Sequence, residues 1–165
     1  MKPQVLLAAS LFALVAVNAA RAAQPGDDTA FIKDAIKGDN SEIMLGGVAQ
    51  RHGASPGMRA FGDMLVTDHT KARDQATIVA RGMGVAPPSG PMAEADVERA
   101  KLAVLSGPAF DHEFAKYMVN DHQHDIADFQ TEAAHGHGEA AALARKSLQV
   151  LRKHLAAAER LTRSD

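Results

Sequence analysis

Met64-Leu65-Val66-Thr67-Asp68-His69 and Tyr117-Met118-Val119-Asn120-Asp121-His122 are two versions of one pattern. Each has three largely apolar residues, one polar residue and then Asp-His. Around the first copy, Met58, Phe61, Leu65, Ala72, Ala76 and Val79 recur at helical spacing. Around the second, Phe114 or Ala115, Met118, Ile126, Phe129 and Ala133 do the same, and His122 falls among them. Both copies therefore read as the middle of a long amphipathic helix with a histidine on its inward face.

The boundaries follow from caps and breakers. Ser55-Pro56 opens the helix of the first copy, which runs to about Arg81 and stops at Gly82 and Gly84. Ser106-Gly107-Pro108 opens the helix of the second copy, which runs to about Ala134 and is broken by His135-Gly136-His137-Gly138. A preceding helix is predicted from about residue 29 to Arg51, with Asp27-Asp28-Thr29 as cap candidates. Its stripe is Phe31, Ile32, Ala35, Ile36, Ile43, Gly46 and Ala49, and His52-Gly53 ends it. A last helix runs to about Thr162, with Ala141, Ala144, Leu148, Leu151, Leu155 and Ala158 inward. Residues 84–92 (GVAPPSGPM) form a Pro/Gly linker, and a short helix at about 93–105 presents Val97, Ala100, Leu102, Val104 and Leu105. Helices this long reach about 30 Å or more. Tight first-to-second and third-to-fourth connections make antiparallel hairpins, and the longer middle segment is a crossover. The expected fold is all-α: a ferritin-like antiparallel four-helix bundle with a short extra helix in the crossover.

Composition supports this and removes several functions. The 165 residues include no Cys, no Trp and 4% aromatics, which suits helices better than a β-sandwich or barrel. The absence of Cys excludes disulfides, thiolate nucleophiles, Cys-ligated zinc, iron–sulfur clusters and a lipoprotein anchor. A net charge of −2 gives no general attraction for nucleic acid or anionic lipid, so no nucleic-acid partner is expected.

Lys2, the apolar run Val5 to Val17 and Ala20-Arg21-Ala22 read as a signal peptide, residues 1–22, cleaved near Ala22 or Ala23. The other reading is an uncleaved anchor, but thirteen apolar residues fall short of a bilayer span. Residues 23–165 are then one exported domain, in a periplasm, with no stable membrane insertion after cleavage. Nothing in the sequence sets an oligomeric state.

Polar groups interrupt the apolar stripes at one place on each long helix. Glu42 lies one heptad after Ala35 and one before Ala49; Asp68-His69 sits between Leu65 and Ala72. Asp121-His122 sits between Met118 and Ile126, and His154 between Leu151 and Ala158. Imidazole nitrogen and carboxylate oxygen are ligands for Zn, Fe, Mn, Cu and Ni. Glu42, His69, His122 and His154 are therefore the candidate ligands of one transition-metal ion. Asp68 and Asp121 are candidates to support them as further ligands or as acceptors that orient a ring. Met64 and Met118 could add soft sulfur, which favours copper. The alternative is a metal-free buried His/Asp/Glu hydrogen-bond network.

Val66 and Leu151 stand where a Glu-x-x-His motif would place its Glu, and Glu42 is the one Glu placed on an inner stripe. A carboxylate-bridged di-iron centre is thus disfavoured, and with it ferroxidase or oxygenase chemistry. No phosphate loop or nucleophile elbow is present, so nothing assigns a catalytic residue. His135 and His137 read as a solvated loop; His52, His112 and His124 read as incidental.

The segments GDNSEIMLGGVAQ, FGDMLVTDHTKA, LSGPAFDHEFAKYMVNDHQHDIADF and LRKHLAAAE resemble the bacterial family called "domain of unknown function 4142". The matching residues are Glu42, Thr67-Asp68-His69, Gly107 to Asp111, Asp121-His122 and His154, within a resemblance from about Phe31 to Leu161. It implies an exported ferritin-like bundle and no established activity. The family's frequent label, predicted outer-membrane protein, does not imply a barrel, since no segment alternates like a transmembrane strand. The expected function is an exported periplasmic bundle that holds one metal ion for metal handling or envelope stress. The alternative is a metal-free structural or interaction module.

Overall fold

A computed structural model describes residues 25–163; the expected signal peptide, 1–22, lies outside them. Side chains are described from Asp28 onward. The described residues form α1 (Pro25–His52), α2 (Pro56–Gly82), α3 (Ala93–Leu102), α4 (Gly107–His135) and α5 (Gly138–Leu161), with no strand among them. None of these helices is long and apolar enough to cross a membrane.

The helix ends have local causes. Ser55 is extended, and its hydroxyl accepts from the Met58 N–H at 3.0 Å, so α2 starts with a side-chain cap followed by Pro56. At the other end, the chain reverses through Gly84 at φ +73°, and Val85 N–H returns to the Ala80 carbonyl at 2.8 Å.

α1 and α2 form the first hairpin and α4 and α5 the second. The first is unusually close. A methyl group on Gly62 would lie 2.6 Å from the Gly46 carbonyl oxygen and 2.7 Å from the Gln50 nitrogen. The two backbones touch there, and only glycine permits it. The hairpins are laced together at their turns. Asp111 of α4 accepts from the Ala54 and Ser55 N–H groups between α1 and α2, at 2.7 and 2.8 Å. Asp28 of α1 accepts from the His137 N–H between α4 and α5 at 3.3 Å. The crossover is pinned to α1: Ser41 Oγ accepts from Met92 N–H at 2.9 Å, and Asn40 donates to the Gly90 carbonyl at 3.1 Å.

The apolar core has two parts. One gathers Leu45, Met58, Phe61, Leu65, Phe110, Phe114, Met118 and Ala158. The other gathers Ile32, Ile36, Ala76, Ala80 and Leu143. On α1, α2 and α5 the buried polar residues Asp39 and Glu42, His69 and His154 come between these two groups, and His122 of α4 joins them one turn beyond Met118. A polar layer thus crosses the interior at mid-height.

Three details differ from the sequence reading. α1 begins at Pro25, so Asp28 lies inside the helix and caps the opposite loop rather than its own helix. α3 ends at Leu102, and its buried face is Ala95, Glu98 and Leu102. Val97 and Val104, two of the apolar residues of this segment, are 71% and 82% exposed. The i, i+3, i+7 row of Ala95, Glu98 and Leu102 faces the core, which turns Val97 outward. Glu42 is also not the only inward Glu, since Glu98 and Glu132 are buried as well.

Candidate metal centre

The four helices carry Glu42, His69, His122 and His154 into the polar layer at comparable heights. All four are at most 4% exposed. The His69 ring centroid lies 5.1 Å from that of His154 and 5.9 Å from that of His122, and His122 and His154 are 5.4 Å apart. One ring nitrogen from each lies within 4.8 Å of the other two. Glu42 reaches between them, with Oε1 3.8 Å from His122 Nδ1 and Oε2 4.0 Å from His69 Nε2. Of the residues read from the sequence, the three histidines converge, and Glu42 lies against two of them.

Each ring is held by one nitrogen. His69 Nδ1 pairs with Asp39 Oδ1 at 2.8 Å, His122 Nδ1 donates to the Met118 carbonyl at 3.0 Å, and His154 Nε2 pairs with Asp68 Oδ2 at 3.0 Å. An oxygen acceptor fixes the proton on the nitrogen facing it, which leaves a lone pair on the other. Those other nitrogens, His69 Nε2, His122 Nε2 and His154 Nδ1, are buried without a hydrogen-bond partner, as are both Glu42 oxygens.

Burial governs the charges. It lowers His69 and His154 to about 4 and His122 to about 3, the neighbouring rings adding to the effect at His122 and His154. All three imidazoles are neutral at pH 7, the form that binds metal. Burial raises Glu42 well above the usual carboxylate range, and the nearby Asp121, Asp125 and Asp39 raise it further. Asp39 and Asp125 are raised for the same first reason. Asp68 behaves oppositely: against the push of burial, hydrogen bonds from His154 and Lys153 bring it below its ordinary value.

The two supporting aspartates divide the work. Asp68 orients His154 and also accepts from Lys153 Nζ at 3.2 Å. Asp121 joins Glu42 and His122 in a second group whose ligand atoms lie within 4.8 Å of one another. Met118 acts through its carbonyl, as the acceptor for His122. Sequence reasoning passed over Asp39, the partner of His69. Its signal was present: it lies four residues after Ala35 and three before Glu42, on the same helix face. The buried Glu98 and Glu132 lie outside both groups of converging ligand atoms.

An all-helical chain with a buried three-histidine, carboxylate-flanked cluster is the class of protein defined here. Residues 13–161 match the family described as Domain of unknown function (DUF4142), and the chain belongs to that family. No curated protein and no solved structure matches it.

Proposed function

We propose that this chain is an exported four-helix bundle of ferritin-like topology that binds one transition-metal ion. His69, His122 and His154 are the ligands, with Glu42 as the fourth. One observation carries the reading: each of three mutually adjacent buried rings has one nitrogen spent on an oxygen acceptor and the other left without a partner. Leaving such an atom buried and unsatisfied costs about 1–3 kcal/mol. A cation among the three rings would meet their free nitrogens at once, with the Glu42 carboxylate beside His69 Nε2 to complete its shell. Nitrogen and oxygen donors of this kind suit Zn, Fe, Mn, Cu or Ni. Four protein donors close a tetrahedral shell, which favours holding a metal over catalysis.

The topology has its own support. Asp28 meets the α4–α5 loop, Asp111 meets the α1–α2 loop, and Gly57 at the start of α2 lies against Leu161 at the end of α5. Neighbouring long helices therefore run antiparallel, and the crossover joins the parallel pair α2 and α4, the ferritin-like arrangement. Export to a periplasm rests on the apolar run Val5 to Val17 and the Ala20-Arg21-Ala22 site. Metal handling in the envelope, or its defence under stress, is the role that follows.

A second reading, a metal-free structural module, is favoured by the Asp39–His69 and Asp68–His154 bonds, which tie α1 to α2 and α2 to α5 without an ion. Elemental analysis of protein purified without a His tag separates the two. About one equivalent of metal, lost in His69→Ala and His154→Ala, supports the metal reading. No stoichiometric metal in any preparation, and stability indifferent to chelator, supports the module.

A further inference from the structure

The polar layer is reached from the surface by two cavities, one of mixed charge and one acidic, and both touch His69. The first, about 170 Å³, has mostly apolar walls from α1, α2 and α5, with Lys71 and Lys146 among its lining. The second, about 280 Å³, lies chiefly between α1 and α4. Five carboxylates line it, Asp34, Asp39, Asp125, Asp128 and Glu132, and no Lys or Arg does.

We propose that the α1–α4 cavity is the route by which a divalent cation reaches the histidine cluster, and that its exposed carboxylates, Asp34 and Asp128, draw the cation in. The proposal rests on the metal-binding reading above and adds the path. The lining grades from outside inward. Asp34 and Asp128 are exposed, Asp125 is half-buried, Asp39 is buried, and His69 stands at the deep end. His69 is 4% exposed, and its Nε2 has no hydrogen-bond partner. The path thus ends at a ring of the cluster that carries an unsatisfied nitrogen. Asp39 serves both roles, since its Oδ1 holds the other nitrogen of the same ring.

Electrostatics selects this cavity over its neighbour. A low-dielectric cleft lined by one sign of charge focuses the field and raises the association rate of an opposite ion by about 10- to 1,000-fold. Lys37 offsets part of this at Asp34, to which it pairs at 3.0 Å, but it does not line the cavity. In the α1–α2–α5 cavity two ammonium groups offset its two carboxylates, Asp39, which lines both cavities, and Asp68, which is already paired to Lys153.

Stopped-flow uptake of Co²⁺ by the metal-free chain, followed by its visible absorbance, tests the route. The double variant Asp34→Asn/Asp128→Asn changes two exposed residues that are not proposed ligands. Its association rate at low salt should fall on the order of tenfold. The deficit should vanish near 1 M salt, where the Debye length is about 3 Å. The dissociation constant, from competition with a chromophoric chelator, should move less than the rate. Lys71→Gln/Lys146→Gln should leave uptake unchanged. Equal rates for the wild type and the acidic-cavity variant at every salt concentration, with Co²⁺ still bound through His69, would overturn the route and leave the site standing. Faster uptake by the lysine variant alone would assign the other cavity. Absence of Co²⁺ binding by the wild type would overturn both the route and the site.

Discussion

Asp68 Oδ2 sits 3.0 Å from His154 Nε2, across the interface between α2 and α5. That contact decides which nitrogen of His154 is left over. Removing it with Asp68→Ala frees the ring to turn and to change tautomer. Metal affinity should fall about 10- to 100-fold, as for other outer partners of ligating histidines. The variant also leaves the buried His154 Nε2 without its acceptor, so stability should fall by about 1–3 kcal/mol. Chelator competition and a thermal melt on the same variant check the two halves.

The three rings should stay neutral in the folded metal-free chain far below the ordinary histidine range. Their folded values, about 4, 3 and 4, lie under the unfolded value of about 6.5. Between those limits the unfolded chain binds more protons, so this contribution to stability is full above about pH 6.5 and is lost as pH falls toward 4. Nitrogen-15 NMR should show Nδ1–H on His122 and Nε2–H on His154 at neutral pH. Titration of any of the three near 6.5 would contradict the assignment.

Glu42 works in the other direction. Its folded value is raised, so its contribution is present at low pH and lost as pH rises from the unfolded value through the folded one. Glu42→Leu removes that liability. The metal-free protein should gain about 1–3 kcal/mol at neutral pH, measured by urea unfolding, while binding metal more weakly. A loss of stability in the metal-free variant would show that Glu42 is satisfied in a way its geometry does not reveal.

Gly62→Ala should destabilise the first hairpin by about 1–3 kcal/mol, since the added methyl meets backbone rather than a flexible side chain. Denaturant midpoints compared with Gly82→Ala provide the contrast, because a methyl on Gly82 has nothing within 4 Å.

Asp111→Ala should cost about 1–3 kcal/mol, because it leaves two loop N–H groups without their acceptor. Hydrogen exchange should show faster opening at Ala54 and Ser55 before any change near His154.

Much of this molecule was legible before its structure. The 3.6-residue period placed four long helices, and breaks in that period placed Glu42, His69, His122 and His154. What periodicity could not give is who bonds to whom. Asp39 shares a face with Glu42, yet its pairing with His69 depends on how close α1 lies to α2, which the Gly46–Gly62 contact sets. The buried face of α3, Ala95, Glu98 and Leu102, was not legible, because a helix of ten residues is too short for its apolar positions to define one face. Asp111 was visible within Gly-x-x-Phe-Asp, but its partners lie 56 and 57 residues away.

The polar layer also indexes the helices along their axes. Apolar side chains tolerate sliding, because one leucine replaces another at little cost. A one-turn slip of α5, about 5.4 Å, would instead move His154 away from Asp68 and lodge it among aliphatic neighbours. Each long helix carries such a mark at the level of the histidine cluster. Their relative heights are therefore set by chemistry, in a core whose shape alone would accept several alignments.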